Sequence, residues 1–93
     1  MTPIILFKSS VARKVLTYFF AHPYDTLYVN EMVKKLGLDK RNLVKKLREF
    51  ETAGLLKKEA RGNLRLYSVN TQYPLYNEYR SIVLATGLAQ NPM

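Results

Sequence analysis

Apolar positions recur along this chain with a helical period, interrupted by short runs of β-forming residues. Val11, Val15, Leu16, Phe19 and Phe20 make a wide apolar stripe. They predict a first helix capped by Ser9 or Ser10 and stopped at Pro23, since a residue before proline is pushed out of the helical region. Thr26-Leu27-Tyr28-Val29 predicts a brief strand. Asn30 is placed to cap a second helix, Glu31 to Leu36, with Glu31 in its first turn, Lys34 and Lys35 in its last, and Gly37 just past its end. Leu38 fills the turn that follows. Asp39 caps a third helix running from Lys40 to about Ala53, and Gly54 ends it. In this helix Leu43, Val44, Leu47 and Phe50 recur at i, i+1, i+4 and i+7 and are assigned to one buried side. At about 100° per residue, Arg41, Lys45, Arg48 and Thr52 fall on the opposite side. Leu55 to Glu59 and Leu64 to Val69 predict two strands, joined through a loop that contains Gly62-Asn63. After Pro74 a last helix, over about 74–88, carries Leu75, Tyr76, Tyr79, Ile82, Val83 and Thr86 along one face.

The expected class is mainly α with a small β-hairpin wing, in one domain spanning 1–93. The order helix, strand, helix, turn, helix, two-stranded wing is that of a winged helix-turn-helix, with the helix-turn-helix over about 30–53 and the wing over about 55–69. No repeat, low-complexity segment or internal linker interrupts it.

Charge sharpens this picture. The net charge is +8, and residues 34–61 carry ten basic and four acidic side chains while both flanks are close to neutral. Five of the nine residues from Lys40 to Arg48 are cationic. A cationic centre between near-neutral flanks points to a polyanionic partner. The competing reading is a soluble helical surface rich in lysine.

Several chemistries are poorly supplied. There is no cysteine, hence no disulfide, thiolate nucleophile or cysteine metal site, which is compatible with a cytoplasmic protein. The single histidine, His22, reads as a helix C-terminal residue, and no metal or cofactor is expected. The serines Ser9, Ser10, Ser68 and Ser81 have no plausible base beyond His22, and Gly37, Gly54, Gly62 and Gly87 are spaced as punctuation rather than as a phosphate loop. The expectation is a protein that is not an enzyme. No apolar run approaches the roughly 18 residues of a spanning helix, and Met1 to Lys8 lacks the charge and cleavage site of a signal peptide. Of seven tyrosines, Tyr18, Tyr28 and Tyr67 are assigned to core elements, and Tyr76 and Tyr79 to an amphipathic face, which argues against a stacking platform for single strands.

The segment Tyr28-Val29-Asn30-Glu31-Met32-Val33-Lys34-Lys35-Leu36-Gly37-Leu38 resembles the "ELAxxLGL" positioning helix and turn of bacterial and archaeal winged-helix regulators. Asn42 to Leu56 is similar to their recognition helix, "TVSRxLRxLExxGLI", and Gly62 to Val69 to their "GxxRxYxL" wing strand. The likeness covers about residues 7–84, and its nearest groups are the MarR-like and ArsR-like regulators. Asn70 to Arg80 is similar to a narrower set, in which a small winged helix precedes a minimal nucleotidyltransferase domain. No catalytic domain follows Met93, which leaves a stand-alone relative or a part of a longer chain.

The resemblance implies a sequence-specific binder of double-stranded DNA acting as a transcriptional regulator. The alternative is an interaction module docking a nucleotidyltransferase or another protein; a third reading is RNA binding by the same basic face. On the DNA reading, Arg41, Asn42 and Lys45 reach base edges, Lys40, Lys46, Lys57 and Lys58 reach phosphates, and Arg61, Asn63 and Arg65 act from the wing. Arg48 joins the basic face unless it pairs with Glu49 or Glu51 on its own helix. A homodimer is expected through the terminal segments, with Ile5, Phe7, Leu75, Tyr76, Tyr79, Val83 and Leu84 at its interface. No small-molecule effector is readable from the chain.

Overall fold

The computed structural model describes residues 10–85. Four helices and three short strands follow one another as α1 (Ser10–Ala21), β1 (Leu27–Tyr28), α2 (Val29–Leu36), α3 (Lys40–Ala53), β2 (Leu56–Arg61), β3 (Leu64–Val69) and α4 (Tyr76–Ala85). The strands form one antiparallel sheet in the order β1-β3-β2.

The core is assembled from one side of each element. Helix α1 contributes Val15, Leu16, Phe19 and Phe20, α2 contributes Met32, α3 contributes Leu43, Leu47 and Phe50, and α4 contributes Val83. Leu27, Leu55, Leu56, Tyr67 and Val69 close it from the sheet side. Phe20 meets Tyr76 and Tyr79 at ring-centroid separations of 5.7 and 5.8 Å, and Tyr73 meets Tyr79 at 5.7 Å. These aromatic contacts hold α4 and the loop before it against α1.

The helix boundaries follow from local chemistry. Helix α2 starts at Val29, inside the expected strand, because the Glu31 carboxylate accepts the Tyr28 backbone N–H at 3.1 Å. Tyr28 is therefore the cap, and Asn30 lies exposed in the first turn. Val29, Met32, Val33 and Leu36 then face inward at i, i+3, i+4 and i+7. Gly37 ends the helix in the left-handed conformation, φ 65°, where a side chain would be strained, and Leu38 N–H donates back to Val33 O at 3.2 Å. Leu38 is buried, so the three-residue turn Gly37-Leu38-Asp39 is anchored to the core. Asp39 caps α3 as expected, its carboxylate accepting the Asn42 N–H at 3.0 Å. Gly54 closes α3, with Leu55 N–H donating to Phe50 O at 2.9 Å.

Five further expectations need correction. Val44 is not on the buried side of α3: it is 36% exposed and outside the core cluster. Leu55 precedes β2 rather than opening it, and β2 runs on to Arg61, leaving Gly62-Asn63 as a two-residue turn. Tyr28 is half-exposed because it alternates with buried Leu27 onto the opposite face of the sheet, beside its register partner Leu66, which is buried there. Pro74 and Leu75 form a turn ahead of α4. Val83, expected at a dimer interface, is fully buried within the chain and is unavailable to a partner. Ser9, Ile5, Phe7 and residues 86–93 lie outside the described residues.

Candidate nucleic-acid interface

Helix α3 has one face in the core and the other in solvent. Leu43, Leu47 and Phe50 point inward, and Arg41, Lys45, Arg48 and Thr52 are exposed on the far side. Lys40 and Asn42 are exposed in its first turn. Asp39 accepts the Asn42 backbone N–H, and the Asn42 residue is exposed to solvent. Asn42, Lys45, Lys46 and Glu49 border a shallow groove whose opposite wall is Ser10 and Val11 at the start of α1.

The cations divide into two sets. Lys46 pairs with Glu49 at 3.2 Å, Lys58 with Glu51 at 3.4 Å, and Arg61 with Glu59 at 3.3 Å. Glu49 and Glu51 are thereby engaged elsewhere, and Arg48 pairs with neither. Among the described residues, Lys40, Arg41, Lys45, Arg48, Lys57 and Arg65 make no ion pair. The outward face of α3 is therefore a strip of uncompensated positive charge.

Strand register places the hairpin residues. Directly opposed residues share a face of an antiparallel pair, and successive residues alternate. Lys58 stands opposite Tyr67 and Ala60 opposite Arg65, on the face that also carries buried Leu56 and Val69. That face is turned towards α3, as the Lys58–Glu51 bond shows. Lys57, Glu59 and Arg61 lie on the other face, opposite Ser68, Leu66 and Leu64. The structure thus separates Lys57 from Lys58. Lys58 and Arg65 share the α3-facing side, whereas Lys57 and Arg61 share the other face with exposed Tyr28 and Leu64 and with buried Leu66. Asn63 is exposed in the turn.

Other expected positions fall away from this strip. Tyr76 and Tyr79 are part of the α1–α4 packing, and burial together with the hydroxyl of Tyr73 raises the pKa of Tyr79. Leu84 is exposed on α4, and Leu75 is exposed in the turn that precedes it. Tyr67 is buried as expected. Tyr18 is half-buried, and its hydroxyl donates to the Asp25 carboxylate. Burial first, and then the bond and charge of Asp25, push the Tyr18 pKa up to about 12. His22 is exposed and stacks on Tyr18 at 4.6 Å, and Lys35 Nζ lies 5.8 Å from the centre of the same ring.

Reading the sequence missed the three ion pairs and the role of Asn70. Asn70 Nδ2 donates to Gly54 O at 2.8 Å, and its Oδ1 accepts the Gln72 N–H at 3.0 Å, tying the end of β3 to the end of α3. An asparagine directly after a strand and before Thr-Gln is a turn signal that could have revealed it. Among the described residues no three or more metal-ligating side chains come together, and no helix is long and apolar enough to cross a membrane. The chain matches no family model, no curated protein and no solved structure.

Proposed function

We propose that this domain is a winged helix-turn-helix that binds double-stranded DNA sequence-specifically and acts as a transcriptional regulator. The observation that carries the reading is the strip of unpaired Arg41, Lys45 and Arg48 on the solvent face of α3, opposite Leu43, Leu47 and Phe50. Fourteen residues make a helix about 21 Å long, with a cross-section that fits a major groove about 12 Å wide. The turn Gly37-Leu38-Asp39 between α2 and α3 has the length and the glycine of a helix-turn-helix connection. In this arrangement Arg41, Asn42 and Lys45 read bases, while Lys40, Arg48, Lys58 and Arg65 meet phosphates on either side. The β2–β3 hairpin serves as the wing.

Selection of bound fragments from random duplex DNA, followed by a salt titration on the enriched duplex, tests the proposal. With about four phosphate contacts, log K falls with log salt at a slope of about −3.6. Enrichment of no sequence, or equal binding to RNA duplexes, refutes it.

A two-fold dimer completes the proposal, because it would set two recognition helices about one DNA turn apart, roughly 34 Å, on an inverted repeat. Of the residues assigned to that contact, Leu84 is the exposed one on α4 itself. Sedimentation of the full chain tests this. A monomer at tens of micromolar that still binds one non-palindromic site tightly rejects the dimer.

A further inference from the structure

Val44 stands out on α3 as a large apolar side chain that the core does not use. Leu43 and Leu47 are fully buried, whereas Val44 is 36% exposed and packs outside the core cluster. One residue after Leu43 means about 100° around the helix, which carries Val44 out onto the edge of the cationic strip. Its helical neighbours at i−4, i−3 and i+4 are Lys40, Arg41 and Arg48, all exposed and free of ion pairs among the described residues. The helix itself gains nothing from this choice, since a β-branched residue at an exposed helical position is slightly worse than alanine, lysine or arginine.

We propose that Val44 is a specificity determinant that reads thymine, by packing its methyl groups on the thymine 5-methyl in the major groove. This rests on the DNA-binding reading above. Phosphates and most base edges present only polar atoms, and the thymine methyl is the apolar group on the groove floor. Three unpaired cations around Val44 bring that floor to the helix. The valine then excludes water from the methyl. Its single favoured rotamer in a helix makes the contact cost little ordering.

The test uses the full chain and the duplex enriched from a random pool. Each thymine of that duplex is replaced in turn by deoxyuridine, which removes only the methyl. Affinities are measured for the wild type and for Val44→Ala. The wild type is expected to lose about fourfold at one thymine, or at a symmetry-related pair, the worth of burying one methyl-sized group. Val44→Ala should bind the thymine and uracil forms equally and still melt cooperatively within a few degrees of wild type. Indifference of the wild type to every replacement overturns the proposal, and so does an undiminished methyl effect in Val44→Ala. If Arg41→Ala still abolishes the sequence preference in that case, only the role of Val44 falls. If no duplex is enriched at all, the DNA reading falls and takes this proposal with it.

Discussion

Arg41→Ala is the most discriminating perturbation of the basic strip. The residue is exposed on the side of α3 opposite the core and makes no ion pair among the described residues. Its removal therefore breaks no hydrogen bond or ion pair among the described residues and opens no cavity. Alanine is also the better helix former, by a few tenths of a kcal/mol, so the fold should be unharmed. Against DNA the loss is different in kind. An arginine meeting guanine O6 and N7 with two hydrogen bonds contributes about 1–3 kcal/mol of discrimination. That is roughly five- to 150-fold in affinity for the preferred site. Random duplex loses much less, since only one charge has gone. The comparison that isolates the effect is Lys46→Ala. Lys46 already sits 3.2 Å from Glu49, half-exposed, in a pair of the kind that contributes about 0–1 kcal/mol. Removing it costs a charge but frees Glu49, and site preference should not change. Fluorescence anisotropy with the enriched duplex and with random competitor gives both affinities for each variant. An unchanged ratio of specific to random binding in both Arg41→Ala and Lys45→Ala would show that α3 does not read bases, whatever its charge.

Three further outcomes follow from the same contacts. Glu59→Gln releases Arg61 from its 3.3 Å partner and removes a negative charge from the hairpin, so affinity for all duplexes should rise by a few-fold; a drop would mean that Glu59 orients Arg61 for DNA. Asp39→Ala deprives the Asn42 N–H of its cap and should cost about 1 kcal/mol, lowering the melting temperature by about 4–8 °C, whereas Asp39→Asn should recover most of it; equal melting of both variants with wild type would rule out the cap. Tyr18 has its pKa raised in the folded chain to about 12, above its unfolded value near 10, so its contribution is fully present below pH 10 and is lost as pH rises towards 12. Tyr18→Phe should therefore lose about 1 kcal/mol at neutral pH and show a flatter alkaline decline than wild type in urea unfolding, and parallel declines would contradict the bond to Asp25.

The fold was legible wherever one local rule decided an element. Gly37, Asp39 and Gly54 mark helix ends because backbone groups there need particular partners or left-handed geometry, and all three act as their spacing suggests. Four of the five stripe residues of α1, Val15, Leu16, Phe19 and Phe20, are buried for the same reason, a period of 3.6 turning spacing into facing, while Val11 is only partly covered and Ala12 is buried beside them. Element ends set by a competing contact were not legible. Helix α2 begins early because Glu31 reaches back to Tyr28, and β2 runs two residues past Glu59 because β3 offers register partners as far as Leu64. Val83 shows the limit from the other direction. Its stripe on α4 was correctly apolar, but spacing alone does not say whether an apolar face meets its own core or a second chain. Here α1 lies against it.

Charge was legible as an amount and not as an arrangement. The run from Lys40 to Arg48 announces a cationic helix, and periodicity alone places Arg41, Lys45 and Arg48 on the outside. It does not say which carboxylates lie close enough to neutralise which cations. Glu51 is three residues from Arg48, a spacing that favours a pair on one helix, yet it meets Lys58 on the adjacent strand. That choice leaves Arg48 without a partner among the described residues and places Lys58 against α3. Lys57 and Lys58, adjacent in sequence and alike in chemistry, are sent to opposite faces by the two-residue period of β2. A phosphate-binding role for one is consequently no argument for the other. Double mutants pairing each with Arg48→Ala would show coupling for Lys58 alone if α3 and the α3-facing side of the hairpin share one strand of the duplex.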